Sequence, residues 1–348
     1  MNRQHTTGRV AIALLAAVAG LAAFDTPGVA LQATDTVEPA ALPRGGNPRV
    51  VHIVGNTIRD GDLRIPVTRH HHEALWSTAK GYLVKDSGAQ PDRIAYRLVQ
   101  VDRDGTRRVL SPEARSVAVS PDGTRVAWSV DLGRDGAPAQ VTVAVADTGR
   151  VVASRRFHDG VQVTALTRHR VLLSRLFTYR RGTAWWNLDR DRLRRISDLS
   201  AVGADLGQDR IVLDIPRDAP ACNAVAPLSR PSRELWRSCR IYPHAWSPDG
   251  EHVLATHTYF DDSGTDRWLV IDSTTRERVG RVLGRLDWDA AWEGNDHFLT
   301  KAQSASGEAA VIRCTLDGQC ERASRVWDLG PVDYQPFYLS PPVVLPSN

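Results

Sequence analysis

Short apolar runs separated by turn-forming residues fill most of this chain of 348 residues. Residues 50–54, 93–101, 139–146 and 268–272 are rich in apolar residues, especially Val, and parts of residues 93–101 and 139–146 alternate apolar with polar positions. Such alternation is typical of strands that bury one face in a sheet. No segment keeps the 3.6-residue period of an amphipathic helix over three turns. The pattern therefore predicts an all-β chain.

One phrase occurs twice, at residues 117–128 and 244–255. Each copy reads as a short apolar strand, a Ser-Pro-Asp-Gly turn and a second alternating strand. Proline presets the backbone at the first corner of such a turn, Asp bonds its own backbone, and Gly accepts a positive φ. The turns begin at Ser120 and Ser247, 127 residues apart, which is about three units of 42, the length of a β-propeller blade.

Weaker copies follow the same spacing, at residues 80–84, 168–173, 207–213 and 293–299. We expect the C-terminal stretch 332–339 to supply a further innermost strand. Residues 50–58 are the candidate for a strand that closes the ring, because closure removes an exposed sheet edge. The sequence thus predicts a single β-propeller of seven four-stranded blades over residues 49–340, with six blades as the alternative.

The Ser-Pro-Asp-Gly turn, leading into an apolar strand, resembles the WD40-like (PD40) repeat of TolB-type β-propellers. In the second copy the turn directly follows Trp246. The two clear copies fall in the second and fifth predicted blades, and the spacing extends the resemblance over most of residues 49–340. The chain also looks like secreted actinobacterial propellers of unknown role. The resemblance implies a binding or interaction scaffold, often associated with the cell envelope.

The N-terminus has the pattern of an export signal. Arg3 and Arg9 precede an apolar run over residues 10–24, and small residues follow this run at Gly28 and Ala30. We expect a signal peptide over residues 1–30, and a secreted or extracytoplasmic protein of the cell envelope. A retained membrane anchor is the alternative, but the run is shorter than the about 20 residues that a bilayer span needs.

The ends of the mature chain differ in composition from the repeats. Residues 31–48 are rich in Thr, Pro and Ala and show no periodicity, so we expect a disordered lead-in there. Residues 341–348 are expected to form a C-terminal tail. No later segment approaches the length of a membrane span, so we expect none after signal cleavage.

Four cysteines occur, and four cysteines allow three disulfide connectivities. Cys314 and Cys320 fit opposite positions of a hairpin whose loop is residues 316–318, with Gly318 in the left-handed region. Cys222 and Cys239 then pair by elimination. A metal site is the alternative, but the cysteines show neither a Cys-x-x-Cys spacing nor a histidine at ligand spacing, so no metal is expected.

Net charge and motifs restrict the function further. The formal charge is +4, and no block of Lys and Arg marks a nucleic-acid-binding arm, so no nucleic acid partner is expected. The chain contains no Gly-x-Ser-x-Gly elbow, no His-Glu-x-x-His and no P-loop. We expect no cofactor, and the absence of a recognisable catalytic set favours a non-enzymatic protein.

Residues just before each innermost strand should surround the mouth of the central channel. Projection of the repeat places eight candidate ligand-binding residues there: Glu73, Arg115, Gln162, Tyr242, His244, Asp287, Asp289 and Asp333. Tyr334 lies beside the last of them. Carboxylates with a His and an Arg can bind a polar ligand or perform acid–base chemistry. The alternative is that the mouth is polar simply because any propeller channel is wet.

These observations favour an exported, non-enzymatic β-propeller that binds an envelope protein or a glycan. The other hypothesis is an extracellular lyase or hydrolase with a polar site at the channel mouth, since propeller enzymes draw catalytic groups from separate blades and leave no local motif. Fold alone does not decide between them.

Overall fold

The structure is a computed structural model. This structure describes residues 36–68, 71–89, 94–131, 138–175, 181–216, 222–257, 264–330, 343–345 and 347. Within these ranges the regular structure is β-strand, apart from one 3₁₀ turn at Pro39–Ala41. The all-β prediction is confirmed. The predicted signal peptide, residues 1–30, lies outside the described residues.

The described residues contain no helix with the length and apolar character needed to cross a membrane.

Four sheets between His71 and Ser238 each contain four antiparallel strands, and we number them blades 1 to 4 in chain order. Blade 1 consists of His71–Ser77, Gly81–Ala89, Ile94–Asp102 and Arg107–Ser111. Blade 2 consists of Val117–Val119, Arg125–Asp131, Ala139–Val145 and Val151–Phe157. Blade 3 consists of Gln162–Leu166, Arg170–Arg175, Gly182–Asn187 and Arg192–Ser197. Blade 4 consists of Ser200–Asp205, Arg210–Ile215, Cys222–Pro227 and Trp236–Ser238.

Blades 5 and 6 share one strand, Arg278–Trp292. Its first part pairs with the strand Thr265–Asp272 and its last part with His297–Gln303, and the register shifts between Leu286 and Ala290. Blade 5 begins with Ile241–Trp246, His252–His257 and Thr265–Asp272; blade 6 continues with His297–Gln303, Glu308–Thr315 and Cys320–Arg322. The short strand Trp327–Asp328 also pairs with Glu308–Thr315.

Blade 7 joins the two ends of the described chain. Its strand order is Val343–Val344, His52–Val54, Thr57–Asp60 and Leu63–Pro66. The sequence predicted a single closing strand over residues 50–58, and this is wrong in extent, because a Gly55-Asn56 turn with Gly55 at φ 58° splits that stretch into two strands. The predicted innermost strand 332–339 lies outside the described residues. With the shared strand divided at its register shift, the described sheets make seven four-stranded units.

Seven clusters of buried apolar side chains alternate with these seven blades in the described chain. Each cluster joins two consecutive blades: Leu98 of blade 1 packs with Trp128 of blade 2, for example. The series runs round to blades 6 and 7, where Leu299 packs with Leu345, and to blades 7 and 1, where Ile58 packs with Tyr82. The remaining clusters join blades 2 to 6 in order. The core is therefore a closed series of interfaces between blades.

The repeated turns occupy equivalent places three blades apart, in blades 2 and 5. Each turn connects the innermost strand with the second strand, and its glycine has positive φ, 66° at Gly123 and 76° at Gly250. A Cβ at Gly123 would lie 2.8 Å from the backbone nitrogen of Ala79 in the preceding blade. Glycine is therefore required here both for the backbone conformation and for the close approach.

Residues 36–48 differ from the expected disordered lead-in. The amide of Val37 donates to the carbonyl oxygen of Leu283 at 2.8 Å, and the amide of Arg322 donates to that of Pro43 at 2.8 Å. Val37 and Leu42 pack against the cluster between blades 5 and 6. The segment thereby supplies partners to the outer edge strands of both blades, whose exposed backbone groups would otherwise be open to pairing with another chain.

Both predicted disulfides are present. Cys314 and Cys320 are register partners in the predicted hairpin, with Cα atoms 4.1 Å apart, and Gly318 has φ 92°. Cys222 and Cys239 have Cα atoms 4.0 Å apart and connect the third strand of blade 4 to the residue after its outermost strand.

Candidate functional site

The innermost strands of several blades contain β-bulges, in which extra residues oppose the second strand. In blade 1, His72 and Ala74 pair with the adjacent residues Asp86 and Lys85, so Glu73 is the extra residue. His244 has the same place in blade 5, between Pro243 and Ala245. Blades 3 and 4 have equivalent bulges, at Thr164 and Val202. A bulge redirects side chains relative to the regular alternation of the strand.

The widest irregularity occurs in blade 6, between Leu286 and Ala290. There Asp287 and Asp289 converge on one ammonium group. Lys301 Nζ lies 2.8 Å from Asp287 Oδ2 and 3.0 Å from Asp289 Oδ2. The Lys301 side chain is 7% exposed, whereas that of Asp289 is 41% exposed. The Asp289 carboxylate is therefore partly exposed while the ammonium is enclosed.

Electrostatics at these three groups are strongly coupled. Burial raises the pKa of Asp289, the Lys301 charge opposes that shift, and the neighbouring charges of Asp287 and Glu73 add to it. Burial alone would lower the pKa of Lys301, but the two aspartates outweigh it and hold this pKa above its ordinary value. Lys301 therefore stays protonated at neutral pH.

Aromatic rings adjoin the carboxylates. His244 lies between three of them, with ring centroids 5.0 Å from Tyr242, 4.9 Å from Trp268 and 6.0 Å from Trp288. The Trp288 ring is nearly parallel to the imidazole, at 25°. His244 Nε2 is 2.8 Å from Thr256 Oγ1. The imidazole is thus fixed by one hydrogen bond and by ring packing.

Burial also sets the protonation of these rings. It lowers the pKa of His244 to about 4. Burial raises the pKa of Tyr242 to about 12, and the charge of Asp214 adds to that shift. At neutral pH the imidazole is neutral and the phenol is protonated. Neither group is poised near pH 7 as a general acid or base.

We call Glu73, Tyr242, His244, Asp287, Trp288, Asp289 and Lys301 the mouth cluster. Five of these seven residues were predicted from the repeat; Trp288 and Lys301 were not. Lys301 belongs to the second strand of blade 6, which the projection did not consider. It was nevertheless detectable, because it is one of only three lysines in the chain and lies in a strand that is otherwise buried from Phe298 to Gln303.

The other predicted residues lie elsewhere around the ring or beyond the described ranges. Arg115 Nε lies 3.3 Å from Asp131 Oδ2, and its guanidinium group lies 5.9 Å from the centroid of the Tyr96 ring. Gln162 begins the innermost strand of blade 3, in register with Ser174. Asp333 and its neighbour Tyr334 lie outside the described residues. The structure therefore groups the candidates of blades 5 and 6, and the charge of Glu73 in blade 1 also contributes to the raised pKa of Asp289.

The mouth cluster has three carboxylates and one ammonium, a formal charge of −2 when all four groups are ionised. Lys301 Nζ occupies the space between Asp287 and Asp289 that a bound cation would take. Glu73 accepts a hydrogen bond from Ser87 Oγ at 2.9 Å, and its side chain is 32% exposed. Glu73 Oε1 also lies 3.7 Å from His71 Nε2, so the Glu73 and Asp289 carboxylates are both partly exposed and both already have partners.

No known protein family matches the sequence, and no curated protein matches it. Several solved structures resemble the fold. A chain from the crystal structure of a mitotic checkpoint complex superposes with a TM-score of 0.53 at 13% identity, over 83% of this chain and 87% of the other. The β-propeller domain of the trilobed protease from Pyrococcus furiosus gives 0.50 at 12% identity, over 74% and 85%. TolB from Acinetobacter baumannii gives 0.46 at 13%, over 76% and 67%.

These similarities concern architecture, since the identities are low. Together with the closed series of sheets and clusters, the superpositions at TM-scores of 0.53 and 0.50 define the fold as a β-propeller.

Proposed function

We propose that this protein is an exported, non-enzymatic binding module that recognises an envelope protein or glycan at the mouth cluster. The preferred partner is a protein that inserts a lysine or arginine side chain between Glu73 and Asp289. The observation that carries the proposal is the partly exposed Asp289 carboxylate beside the enclosed Lys301 ammonium, which faces two aspartates and can neutralise only one of them. Export is supported by the signal-like N-terminus and by the two disulfides, which persist in oxidising compartments.

Charge favours a cationic group as the part of the partner that is bound. Lys301 neutralises only one of the two aspartates that it contacts, so a second positive charge at Asp289 reduces the remaining repulsion between Asp287 and Asp289. Burial and neighbouring negative charge raise the pKa of Asp289, and an incoming cation offsets the negative charge. Trp288 and Tyr242 add ring faces to which a cation is attracted.

Binding, rather than catalysis, also agrees with how the polar groups are engaged. Two carboxylates hold Lys301 in place. His244 is hydrogen-bonded to Thr256, and burial lowers the pKa of this histidine to about 4. A general base needs a pKa near the working pH. The polar groups of the mouth cluster are thus fixed in one arrangement that can receive a ligand.

A second candidate function rests on Asp289. Burial raises the pKa of the Asp289 carboxyl group, and the charges of Asp287 and Glu73 add to that shift; glycoside hydrolases use a carboxyl group with a raised pKa as their general acid. The alternative is therefore an extracellular lyase or hydrolase acting on a polar substrate at the same site.

The test starts from the oxidised mature chain, residues 31–348, used to capture partners from envelope extract of its source at low salt. A captured protein is then purified and titrated against the wild type and against a Glu73→Gln, Asp289→Asn variant. We expect the double variant to weaken binding at least tenfold and the wild-type affinity to fall as ionic strength rises. A matched control, Asp62→Asn with Glu251→Gln, removes two exposed carboxylates elsewhere.

The outcomes separate the hypotheses. Equal binding by the double variant and the control would overturn the mouth cluster as the site. Cleavage of a glycan by the wild type, lost in Asp289→Asn, would favour the enzymatic alternative. Capture of a glycan without cleavage would retain the binding module and replace the protein partner.

A further inference from the structure

A cavity of about 540 Å³ lies between blades 3 and 4, and it shares no residue with the mouth cluster. Blade 3 contributes residues from its second, third and fourth strands, and blade 4 contributes the turn 206–209 and the loop 228–235. The volume is within the range of about 300–1,000 Å³ that is usual for ligand-binding clefts. We call it the interblade cavity.

One wall of the interblade cavity is a loop that is longer than its counterparts in the other blades. The link between the third and fourth strands is residues 228–235 in blade 4, but 188–191 in blade 3 and 273–277 in blade 5. The carboxylate of Asp209 accepts hydrogen bonds from the amide of Ser229 at 2.8 Å and from its hydroxyl at 2.6 Å. The loop is therefore fixed to the turn of its own blade, and fixed loops on a rigid scaffold are common binding surfaces.

The floor of the cavity is apolar and mainly aliphatic. Leu228 is buried, and Ile196 and Leu206 pack against the cluster that joins blades 3 and 4. Trp185 also lines the cavity, but it is only 8% exposed, and the Arg170 guanidinium lies 4.9 Å from the centroid of its ring. The indole therefore offers little surface on which a sugar ring can stack.

Three exposed arginines border this floor: Arg170, Arg194 and Arg195. Arg194 is the register partner of Trp185, so Arg170 and Arg194 adjoin the same indole. Arg195 pairs with Asp198 at 2.8 Å, whereas Arg170 and Arg194 have no ion-pair partner in the part of the chain that the structure describes. Both groups are accessible from solvent, so a ligand can reach them without displacing another residue.

The cavity carries a positive charge. Asp209 is the one acidic residue among the described lining residues, and its carboxylate already accepts two hydrogen bonds from Ser229. With three arginines and one aspartate, the lining has a formal charge of +2 at neutral pH. An anionic ligand therefore complements it.

We propose that the interblade cavity binds an extended segment of a protein partner in which an Asp or Glu residue adjoins an aliphatic residue. The carboxylate contacts Arg170 and Arg194, and the aliphatic side chain packs on Leu206 and Leu228. A guanidinium and a carboxylate form charge-assisted hydrogen bonds of defined geometry, which makes such a contact specific.

A peptide suits these features better than an acidic glycan does. The aliphatic floor matches an apolar side chain, and the strand Arg192–Ser197 is the edge of its sheet, with no other strand of the described chain on its outer side. An extended peptide can pair its backbone with such an edge. Charged residues on an edge strand oppose pairing with uncharged strands, and the arginines here favour an acidic one.

The experiment begins with a selection of random peptides displayed on phage against the oxidised mature chain, residues 31–348. The same selection is made in parallel against the variant Arg170→Gln, Arg194→Gln. We expect the wild type to enrich peptides with Asp or Glu next to Leu, Ile or Val, and the variant to lose that enrichment. Peptides selected by the acidic mouth cluster carry Lys or Arg instead, so composition distinguishes the two sites.

An enriched peptide is then synthesised and titrated by fluorescence anisotropy. We expect Arg194→Gln to weaken binding about fivefold and the double variant about tenfold or more, with affinity falling as ionic strength rises. Replacing the acidic residue of the peptide by its amide, or the aliphatic residue by Ala, should weaken binding about fivefold in each case. These peptide changes test the proposal even if the double variant fails to fold.

Arg156→Gln is the matched control. Arg156 is an exposed arginine in the outermost strand of blade 2, Val151–Phe157, and it does not line the cavity. We expect Arg156→Gln to bind the peptide as the wild type does. The proposal is overturned if no acidic peptide is enriched, or if the double variant binds the enriched peptide as tightly as Arg156→Gln. Binding of oligogalacturonate without any peptide would also overturn it, and would make an acidic glycan the ligand.

Discussion

The hydroxyl of Ser120 donates a hydrogen bond of 2.6 Å to the carboxylate of Asp122 within the repeated turn. The same oxygen accepts the backbone amide of Arg125 at 2.9 Å, so one buried hydroxyl connects the two ends of the turn. The second copy repeats both bonds, Ser247 to Asp249 at 2.5 Å and the amide of His252 to Ser247 at 3.0 Å. The serine is therefore the central residue of the motif.

Replacing this serine should destabilise each copy to a similar extent. Ser120→Ala leaves the Arg125 amide without its side-chain acceptor, and we expect the free energy of unfolding to fall by about 1–3 kcal/mol. Ser247→Ala should behave alike, and the exposed Ser306→Ala should change little. Urea denaturation measures all three, and a loss equal to that of Ser306→Ala would contradict the role given to the turn.

Lys301 should be more sensitive than either of its partners. Lys301→Met leaves Asp287 and Asp289 facing each other without the enclosed ammonium, and removing one member of a buried ion pair typically costs about 3–5 kcal/mol. The triple variant with Asp287→Asn and Asp289→Asn removes the repulsion and should recover part of that loss. Thermal and urea unfolding at pH 7 report both variants. An additive effect of the three substitutions would show that the groups are not coupled.

Stability should depend on pH through His244. Its pKa in the folded protein is about 4, below the ordinary value of 6.5, because it is buried. The unfolded chain therefore binds a proton between these values while the folded one does not, so stability falls as pH decreases from 6.5 towards 4. His244→Gln should show a shallower decrease over that window. Identical pH profiles of the two proteins, measured by urea denaturation from pH 4 to 8, would refute the buried neutral imidazole.

The two disulfides should contribute unequally. The bond Cys222–Cys239 spans 17 residues and Cys314–Cys320 spans 6. A chain-entropy treatment gives about 3 kcal/mol for the longer loop and about 2 for the shorter. The double variant Cys222→Ser, Cys239→Ser should therefore lose more stability than Cys314→Ser, Cys320→Ser. The opposite order in urea denaturation would locate the main effect in the native hairpin rather than in the unfolded chain.

Removing residues 343–348 should open the ring. Val343 and Val344 are the register partners of Val54 and Ile53, and the Ser347 amide donates to the Leu75 carbonyl oxygen at 2.7 Å. Without them the strand His52–Val54 becomes an unpaired edge, which favours association between chains. We expect a lower unfolding midpoint and self-association in analytical ultracentrifugation. A monomeric truncation with an unchanged midpoint would mean that closure does not depend on this strand.

Local chemistry explains which features were predictable from the sequence. The Ser-Pro-Asp-Gly turns and the Cys314–Cys320 hairpin depend on residues a few positions apart, and both have the predicted geometry. Glu73 and His244 were found by counting along the repeat, but the bulges that redirect them arise from pairing with the second strand. Lys301 was missed because its role depends on a carboxylate pair on the neighbouring strand.

Long-range pairing explains the remaining differences. Residues 36–48 have no periodicity of their own, so their order comes from the blade edges that they cover. The closing blade takes three strands from the N-terminal side rather than one, because a two-residue turn at Gly55 divides a stretch that reads as a single apolar run. Neither contact has a signature within its own sequence window.

The strand Arg278–Trp292 has an extended length of about 50 Å at about 3.3 Å per residue, and it is the outermost strand of blade 5 at its start and the innermost strand of blade 6 at its end. Neighbouring blades elsewhere in the described chain are joined by loops, such as residues 158–161. Here the backbone passes from one blade to the next within a single strand, with a register shift between Leu286 and Ala290. Asp287 and Asp289 therefore lie on a segment whose two ends are paired in different blades, so the pairing of both blades determines where these carboxylates lie.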